Sequence, residues 1–546
     1  MCWADVHTSQ RCLVDVNVMY LIPMMILCFS SHINVLITII IMRYLANITI
    51  HFKAAPGTHY VLCQHRLSGE SVRTVRKIAK NTGVVIAGNI IFRLVSLFVI
   101  IYLARYLGTA GFGKYSFVFA YLAFFGIITD LGLQQILVRE MAREPSTAPV
   151  LIGNAYVIRL LLTVFAVGLA IVIITLLRYP DDTTSYIYIA SLTLLFISFS
   201  DFYATIFQAN LAMEYNVIAK LAFKFISAGL ILWIILTHGT LAQVMVVLVF
   251  SEGIKTLISY LFSRKFVRPR FAIDFGLWKY LLKECLPLAL TSVIVIIYYR
   301  IDVIMLSMMK GDDAVGIYSA AYRLCDPFSL IPYALMMSLF PLMSMYFKSS
   351  EDNLIRTYAL AIRYLLIIVL PIAVGTMFIA DEVVLLVYGV PFANSAHVLQ
   401  ILIWTVVFGA VNSVLTNTLI AINQQKLSAW CMGFCAITNI ILNFLLIPVM
   451  SYNGAAIATL ATVVVFSISA FYFVSKHLQA IPVHKILVKP VIGVLVMSGS
   501  MYYLAGLNLF MLIPLAAGVY LATLLVLRTF SDEDWDLVKT VINRRT

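Results

Sequence analysis

Apolar runs of roughly 20 residues recur along this chain from about residue 82 to residue 527, with short polar stretches between them. At 1.5 Å per residue, a helix of that length matches the hydrocarbon thickness of a bilayer. The pattern predicts fourteen spans: 82–104, 115–137, 151–177, 186–206, 217–236, 240–262, 285–308, 322–346, 358–380, 397–421, 429–449, 454–474, 488–506 and 508–527. Most connecting loops are under twenty residues, so no soluble catalytic domain hangs from the bundle. The fold class is an all-α polytopic membrane protein.

Composition agrees, with 62% hydrophobic and 12% charged residues and a mean hydropathy of +0.98. Charge changes the picture more. A formal net charge of +13 suggests nucleic acid until its distribution is examined. Lys and Arg concentrate in 72–81 (Arg73, Arg76, Lys77, Lys80), Arg139/Arg143, the 263–284 linker, Lys348/Arg356, Lys426, Lys476/Lys485/Lys489 and the C-terminal tail. The alternate loops carry only Arg105, Lys114, Arg178 and Lys310, and several carry none. That alternation is the positive-inside rule, and it predicts a cell (cytoplasmic) membrane protein with both ends of the helical core in the cytoplasm. The basic charge is topological, and no nucleic-acid partner is expected.

The first seventy residues differ in texture. They hold Cys2, Cys12, Cys28 and Cys63, and their one apolar run, about Val18–Met42, is broken by Ser30-Ser31-His32-Ile33-Asn34. This stretch reads as an extra helix, a signal-like segment lacking a basic n-region, or an upstream extension from too early a start. The extension is favoured, because Ser71 to Lys80 already forms a basic amphipathic lead-in to the first span. Cys285, Cys325, Cys431 and Cys435 lie in or beside spans without metal-ligand spacing. No metal site is expected.

The chain repeats itself. Gly108-Thr-Ala-Gly-Phe-Gly113-Lys-Tyr115-Ser116 follows the first span, and Gly311-Asp-Asp-Ala-Val-Gly316-Ile-Tyr318-Ser319 follows the seventh. Both read G-x4-G-x-Y-S. A weaker echo links Gln208-Ala-Asn210 with Ala421-Ile-Asn423. A shift of six helices preserves topology, so two parallel six-helix lobes with two appended helices are predicted. The domains expected are a 1–70 extension, a first lobe over 71–262, a basic cytoplasmic linker over 263–284 and a second lobe over 285–474. Helices 13 and 14 over 475–530 and a cytoplasmic tail over 531–546 complete the chain. Gly108-x4-Gly113-Lys114 approaches a phosphate-binding loop, but Tyr115 replaces the required Ser/Thr and no strand precedes it. A tight turn opening the next helix explains it better.

These residues also carry a family resemblance. Arg105-Tyr-Leu-Gly108 through Ser116, Asp130-Leu-Gly-Leu-Gln-Gln-Ile-Leu-Val-Arg139-Glu140, Gly316-Ile-Tyr-Ser-Ala-Ala-Tyr322-Arg323-Leu, Ile331-Pro332 and Asn453-Gly454-Ala-Ala-Ile-Ala-Thr resemble polysaccharide-biosynthesis flippases, O-antigen flippases among them. Those belong to the multidrug/oligosaccharidyl-lipid/polysaccharide superfamily. The resemblance covers about 71–530 and implies two six-helix lobes around a central cavity, working by alternating access.

Ionisable groups at membrane depth are expensive and mark function by default. Arg93 falls at the middle of span 1 with Asn89 one turn earlier, and Arg300 lies near the middle of span 7 with Ser292 on its face. Both arginines are expected to line the cavity. Asp302 points about 200° away from Arg300 and needs another partner. Glu252 could be neutralised by Lys255. Glu252, Asp302, Asp130 and Asp201 are candidates either for a coupling ion (H⁺ or Na⁺) or for structural pairs. Arg159, Lys220, Lys224, Arg323 and Arg363 lie near span ends, where snorkelling is the default. Arg159 and Arg363 remain additional substrate-site candidates. Prolines fall in spans 7–11 and not in spans 1–6, which predicts that the second lobe bends more.

A cavity arginine suits an anionic cargo, because it offers fixed charge and bidentate donors without a proton. The reading is a flippase for a polyprenyl-phosphate or -diphosphate oligosaccharide, not an enzyme, with no cofactor. Its partners are the bilayer, the lipid-linked glycan, and glycosyltransferases or a polymerase of the same pathway. A multidrug-extrusion-like antiporter would want an acidic cavity. A lipid II flippase would share the fold. A membrane glycosyltransferase or polymerase would want a larger acidic external loop than 381–396, which offers only Asp381 and Glu382.

Overall fold

The structure is a computed structural model, and it describes residues 69–271, 273–504 and 506–530. The N-terminal segment up to residue 68 and the tail 531–546, both given readings above, lie outside the described residues. The helices are α1 (Gly69–Asp130), α2 (Leu133–Arg143), α3 (Ala148–Leu176), α4 (Asp181–Ala209), α5 (Met213–Leu236), α6 (Leu241–Ser263) and α7 (Phe275–Lys310). They continue as α8 (Asp312–Cys325), α9 (Leu330–Ser349), α10 (Glu351–Tyr388), α11 (Ser395–Ala421), α12 (Gln425–His477), α13 (Val483–Tyr503) and α14 (Leu509–Val526). No strand occurs among the described residues.

Among the described residues, twelve helical stretches are long and apolar enough to cross a membrane. Two of them are too long to be one crossing: α1 has 62 residues and α12 has 53. Each is broken internally, at Gly108 (φ 66°, ψ −175°) and at Ser451 (φ 52°, ψ −131°), so each supplies two spans. The total is then about the fourteen that the hydropathy rhythm predicts.

Gly108 explains why the repeated loops share a glycine. Its counterpart Gly311 has nearly the same backbone (φ 81°, ψ −172°), a region that only glycine occupies without strain. Gly389, between α10 and α11, adopts it a third time (φ 86°, ψ 179°). The weaker echo needs a one-residue correction. Leu211 and Asn423 hold the equivalent left-handed positions, at φ 52° and 60°. The bonds Ala212 N to Phe207 O and Gln424 N to Leu419 O close both helix ends in the same way. The structural partner of Asn423 is therefore Leu211 rather than Asn210.

The first lobe (α1–α6) is built on two apolar cores. One joins Leu103, Phe117 and Leu122 to Ile187 and Val244. The other joins Leu137, Ile152 and Ile158 to Phe202 and Phe207. The second lobe (α7–α12) has one large core running from Leu306 and Tyr318 through Tyr358 and Leu402 to Phe466. The appended α13 and α14 dock on α10, where the Tyr520 hydroxyl donates to the Ile367 carbonyl at 2.8 Å. The 264–274 linker is tied down rather than free. Arg270 N donates to Pro149 O at 2.9 Å, and the Asn154 side chain accepts from Asp274 N and Trp278 Nε1, each at 2.9 Å.

Prolines do not mark the sharpest breaks. The backbone stays helical through Pro287, Pro341 and Pro371. The second span of each lobe is interrupted instead, by Leu131-Gly132 between α1 and α2 and by the 3-10 turn Asp326–Ser329 between α8 and α9. Only the latter contains a proline, Pro327.

Candidate functional site

The lobes meet along a seam whose ends differ. At the Gly108/Gly311 end the repeated loops pack on each other reciprocally. A Cβ on Gly113 would come within 1.8 Å of the Asp312 carbonyl oxygen, and one on Gly316 within 2.0 Å of the Thr109 oxygen. Thr109 donates to Asp313 at 2.5 Å, and Arg105 donates to the Val387 carbonyl at 2.6 Å and also to that of Leu386. Lys114 pairs with Asp182, and that hydrogen bond holds the Asp182 carboxyl below its ordinary range. The opposite end relies on side chains: Arg139 reaches Glu284 at 2.9 Å and the Tyr280 hydroxyl at 3.2 Å, both partly exposed.

Between these ends lies a cluster of cations. Arg300 (α7) and Arg323 (α8) line one cavity with Ser116, Tyr299, Asp302 and Tyr322. Arg323 Nη1 stands 3.5 Å from the Asp326 carboxylate on the 3-10 turn. Arg93 (α1) is exposed and donates to the Ser329 hydroxyl at 3.2 Å, and Ser329 in turn donates to the Asp326 carbonyl at 2.7 Å. Arg93, Arg300 and Arg323 all act electrostatically on Asp326. Lys224 (α5) lies within electrostatic reach of Arg323, over the Phe92 ring. Asn89 sits half-buried one turn before Arg93. Asp302 is buried and lines the same cavity as Arg300 and Arg323, but its hydrogen bonds go elsewhere. It accepts from the Tyr318 hydroxyl and from Val303 N at 2.8 Å, with Thr459 Oγ1 at 3.5 Å.

A second charged group is folded into the first lobe. Arg159 is 1% exposed and pairs with Asp130 at 3.0 Å, while its Nε donates to Ser198 at 3.0 Å. Asp130 also accepts from Gly132 N and Gln134 N, each at 3.2 Å, and so caps the start of α2. Glu252 and Lys255, both buried, meet at 2.7 Å, and Lys255 lies over Phe223. Asp201 is within electrostatic range of both Arg159 and Glu252.

The structure therefore gathers Arg93, Asn89 and Arg300 at the seam and places Arg159, Asp130, Asp201 and Glu252 inside the first lobe. Arg363 belongs to neither group, since it donates to the Thr529 carbonyl beyond α14. Snorkelling is corrected for Arg159, Lys224 and Arg323. Arg159 turns inward to an acidic partner, and the other two join the seam cluster. The sequence pattern reads Arg323 as a span-end residue and does not single out Asp326, on the 3-10 turn that follows Cys325.

The arrangement is a bundle of broken helices with two pseudo-equivalent lobes and a cationic seam, and it can be set beside known proteins. The chain matches the family described as Polysaccharide biosynthesis protein over residues 78–347, and the family described as MatE over 287–445. It is 32% identical over 191 residues to the "Probable flippase AglR" of Haloferax volcanii, covering 34% of this chain and 40% of that protein. It is 26% identical over 183 residues to the "Probable low-salt glycan biosynthesis flippase Agl15" of the same organism, covering 33% and 39%. The matches thus span about two fifths of those relatives' length. Among solved structures, the inward closed conformation of the lipid II flippase MurJ superposes with a TM-score of 0.67 at 16% identity, covering 81% of this chain and 98% of that one. The two family matches together run from residue 78 to residue 445, and the fold is similar to that of the solved lipid II flippase.

Proposed function

We propose that this protein flips a polyprenyl-phosphate- or polyprenyl-diphosphate-linked oligosaccharide across the cell membrane by alternating access, in polysaccharide or surface-glycan assembly. The observation that carries this is the seam cluster: Arg93, Lys224, Arg300 and Arg323 gather where the lobes meet, with Asp326 loosely placed among them and Asp302 already engaged by Tyr318. Guanidinium forks suit phosphate oxygens, and at membrane depth unbalanced cations are retained only for a reason. An organic-cation antiporter would be repelled by the same cluster. The lipid chains would stay in the bilayer while the headgroup crosses between the lobes.

The basic loops put the Arg139/Glu284 end in the cytoplasm and the Gly113/Gly316 end outside. Reciprocal glycine packing would then seal the outer end between cycles. Coupling to H⁺ or Na⁺ would fall to a carboxylate, with Asp302, beside the cations, the best placed. Glycosyltransferases or a polymerase of the pathway would supply and consume the cargo.

The test is reconstitution in liposomes with a labelled polyprenyl-diphosphate oligosaccharide. Translocation of that lipid well ahead of bulk phospholipid is expected. Equal movement of every lipid offered would sink the reading.

A further inference from the structure

Asp326 is unlike the other carboxylates in the membrane. Asp130 and Glu252 hold their cations at 3.0 and 2.7 Å, and Glu252 and Asp302 are buried. Asp326 meets Arg323 at only 3.5 Å, and its side chain is 45% exposed. It stands on the 3-10 turn that interrupts span 8, immediately before Pro327 and three residues after Arg323. Arg323 is its ion-pair partner, Arg300 lines the same cavity as Arg323, and Arg93 donates to Ser329 on the same 3-10 turn. A carboxylate that existed to lock helices would sit close and dry.

We propose that Asp326 is an internal counter-anion that occupies the seam arginines at rest and must be displaced by the cargo phosphates, so that it sets a charge threshold for entry. This rests on the flippase reading above. A phosphodiester headgroup of an ordinary phospholipid carries one negative charge, no more than the aspartate it would have to replace. A diphosphate carries more charge and more acceptor oxygens, and can engage several guanidinium forks at once. Asp326 therefore excludes the abundant bilayer lipids by like-charge repulsion and admits the rare diphosphate, a repulsive element built for selectivity.

The experiment compares two soluble probes, geranyl diphosphate and dihexanoyl phosphatidylglycerol, binding to the purified full chain in detergent. The parent should prefer the diphosphate. Asp326→Asn should bind the phosphodiester at least about tenfold tighter, with a smaller gain for the diphosphate, so that the preference collapses. Asp326→Glu should stay within about threefold of the parent, because it keeps the charge. Asp326→Ser provides a second neutral variant.

Phosphodiester affinity unchanged in the neutral variants, or both probes weakened by them, would overturn the threshold while Arg300→Ala still weakened the diphosphate. Failure of Arg300→Ala to weaken either probe would remove the site reading itself. If both neutral variants failed to fold while Asp326→Glu folded, Asp326 would be a structural ion-pair partner and the proposal would be wrong.

Discussion

The charged groups buried in the first lobe and those of the seam are built on opposite principles. Within the first lobe the buried cations Arg159 and Lys255 each have a carboxylate close by, Asp130 at 3.0 Å and Glu252 at 2.7 Å. At the seam, Arg93, Lys224, Arg300 and Arg323 share the loosely held Asp326, while Asp302 is occupied by Tyr318. Charge at membrane depth is thus not in itself a sign of a binding site. The informative quantity is whether the charge is already satisfied.

That contrast can be broken in order of expected effect. Arg159→Ala strands Asp130, loses the Ser198 bond and loosens the cap on α2. It should destabilise the fold by about 3 kcal/mol, measured by reversible unfolding in mixed micelles. A loss under about 1 kcal/mol would mean the pair is solvated after all. For the second pair, Lys255→Met alone should cost about 2 kcal/mol, whereas adding Glu252→Leu should return most of it, because removing both charges also removes their desolvation. Smallest of all, Arg93→Ala should change stability by under about 0.5 kcal/mol, since that side chain is exposed and makes one 3.2 Å bond.

Much of the fold was legible in the sequence because span length and loop charge are set by the bilayer. The two parallel lobes followed from one repeated loop, whose glycines proved to be both the turn (Gly108, Gly311) and the close contact (Gly113, Gly316). Arg93 and Arg300 stood out by depth alone. Arg323 and Asp326 did not, because Arg323 falls at a span end and a hydropathy pattern conceals the 3-10 turn that carries Asp326. The partner of Arg159 was hidden for a different reason. Asp130 lies 29 residues away in sequence, in another span, and only packing reveals which of several acids a buried arginine chooses.

The central claim is that the seam cations, and not the first-lobe pairs, carry the cargo. Its most direct test is transport of a labelled polyprenyl-diphosphate oligosaccharide by the double variant Arg300→Ala/Arg323→Ala in proteoliposomes. Losing two charge-assisted contacts should slow translocation by about 100-fold or more while the unfolding midpoint stays near that of the parent. Transport at the parental rate by a folded double variant would contradict the account.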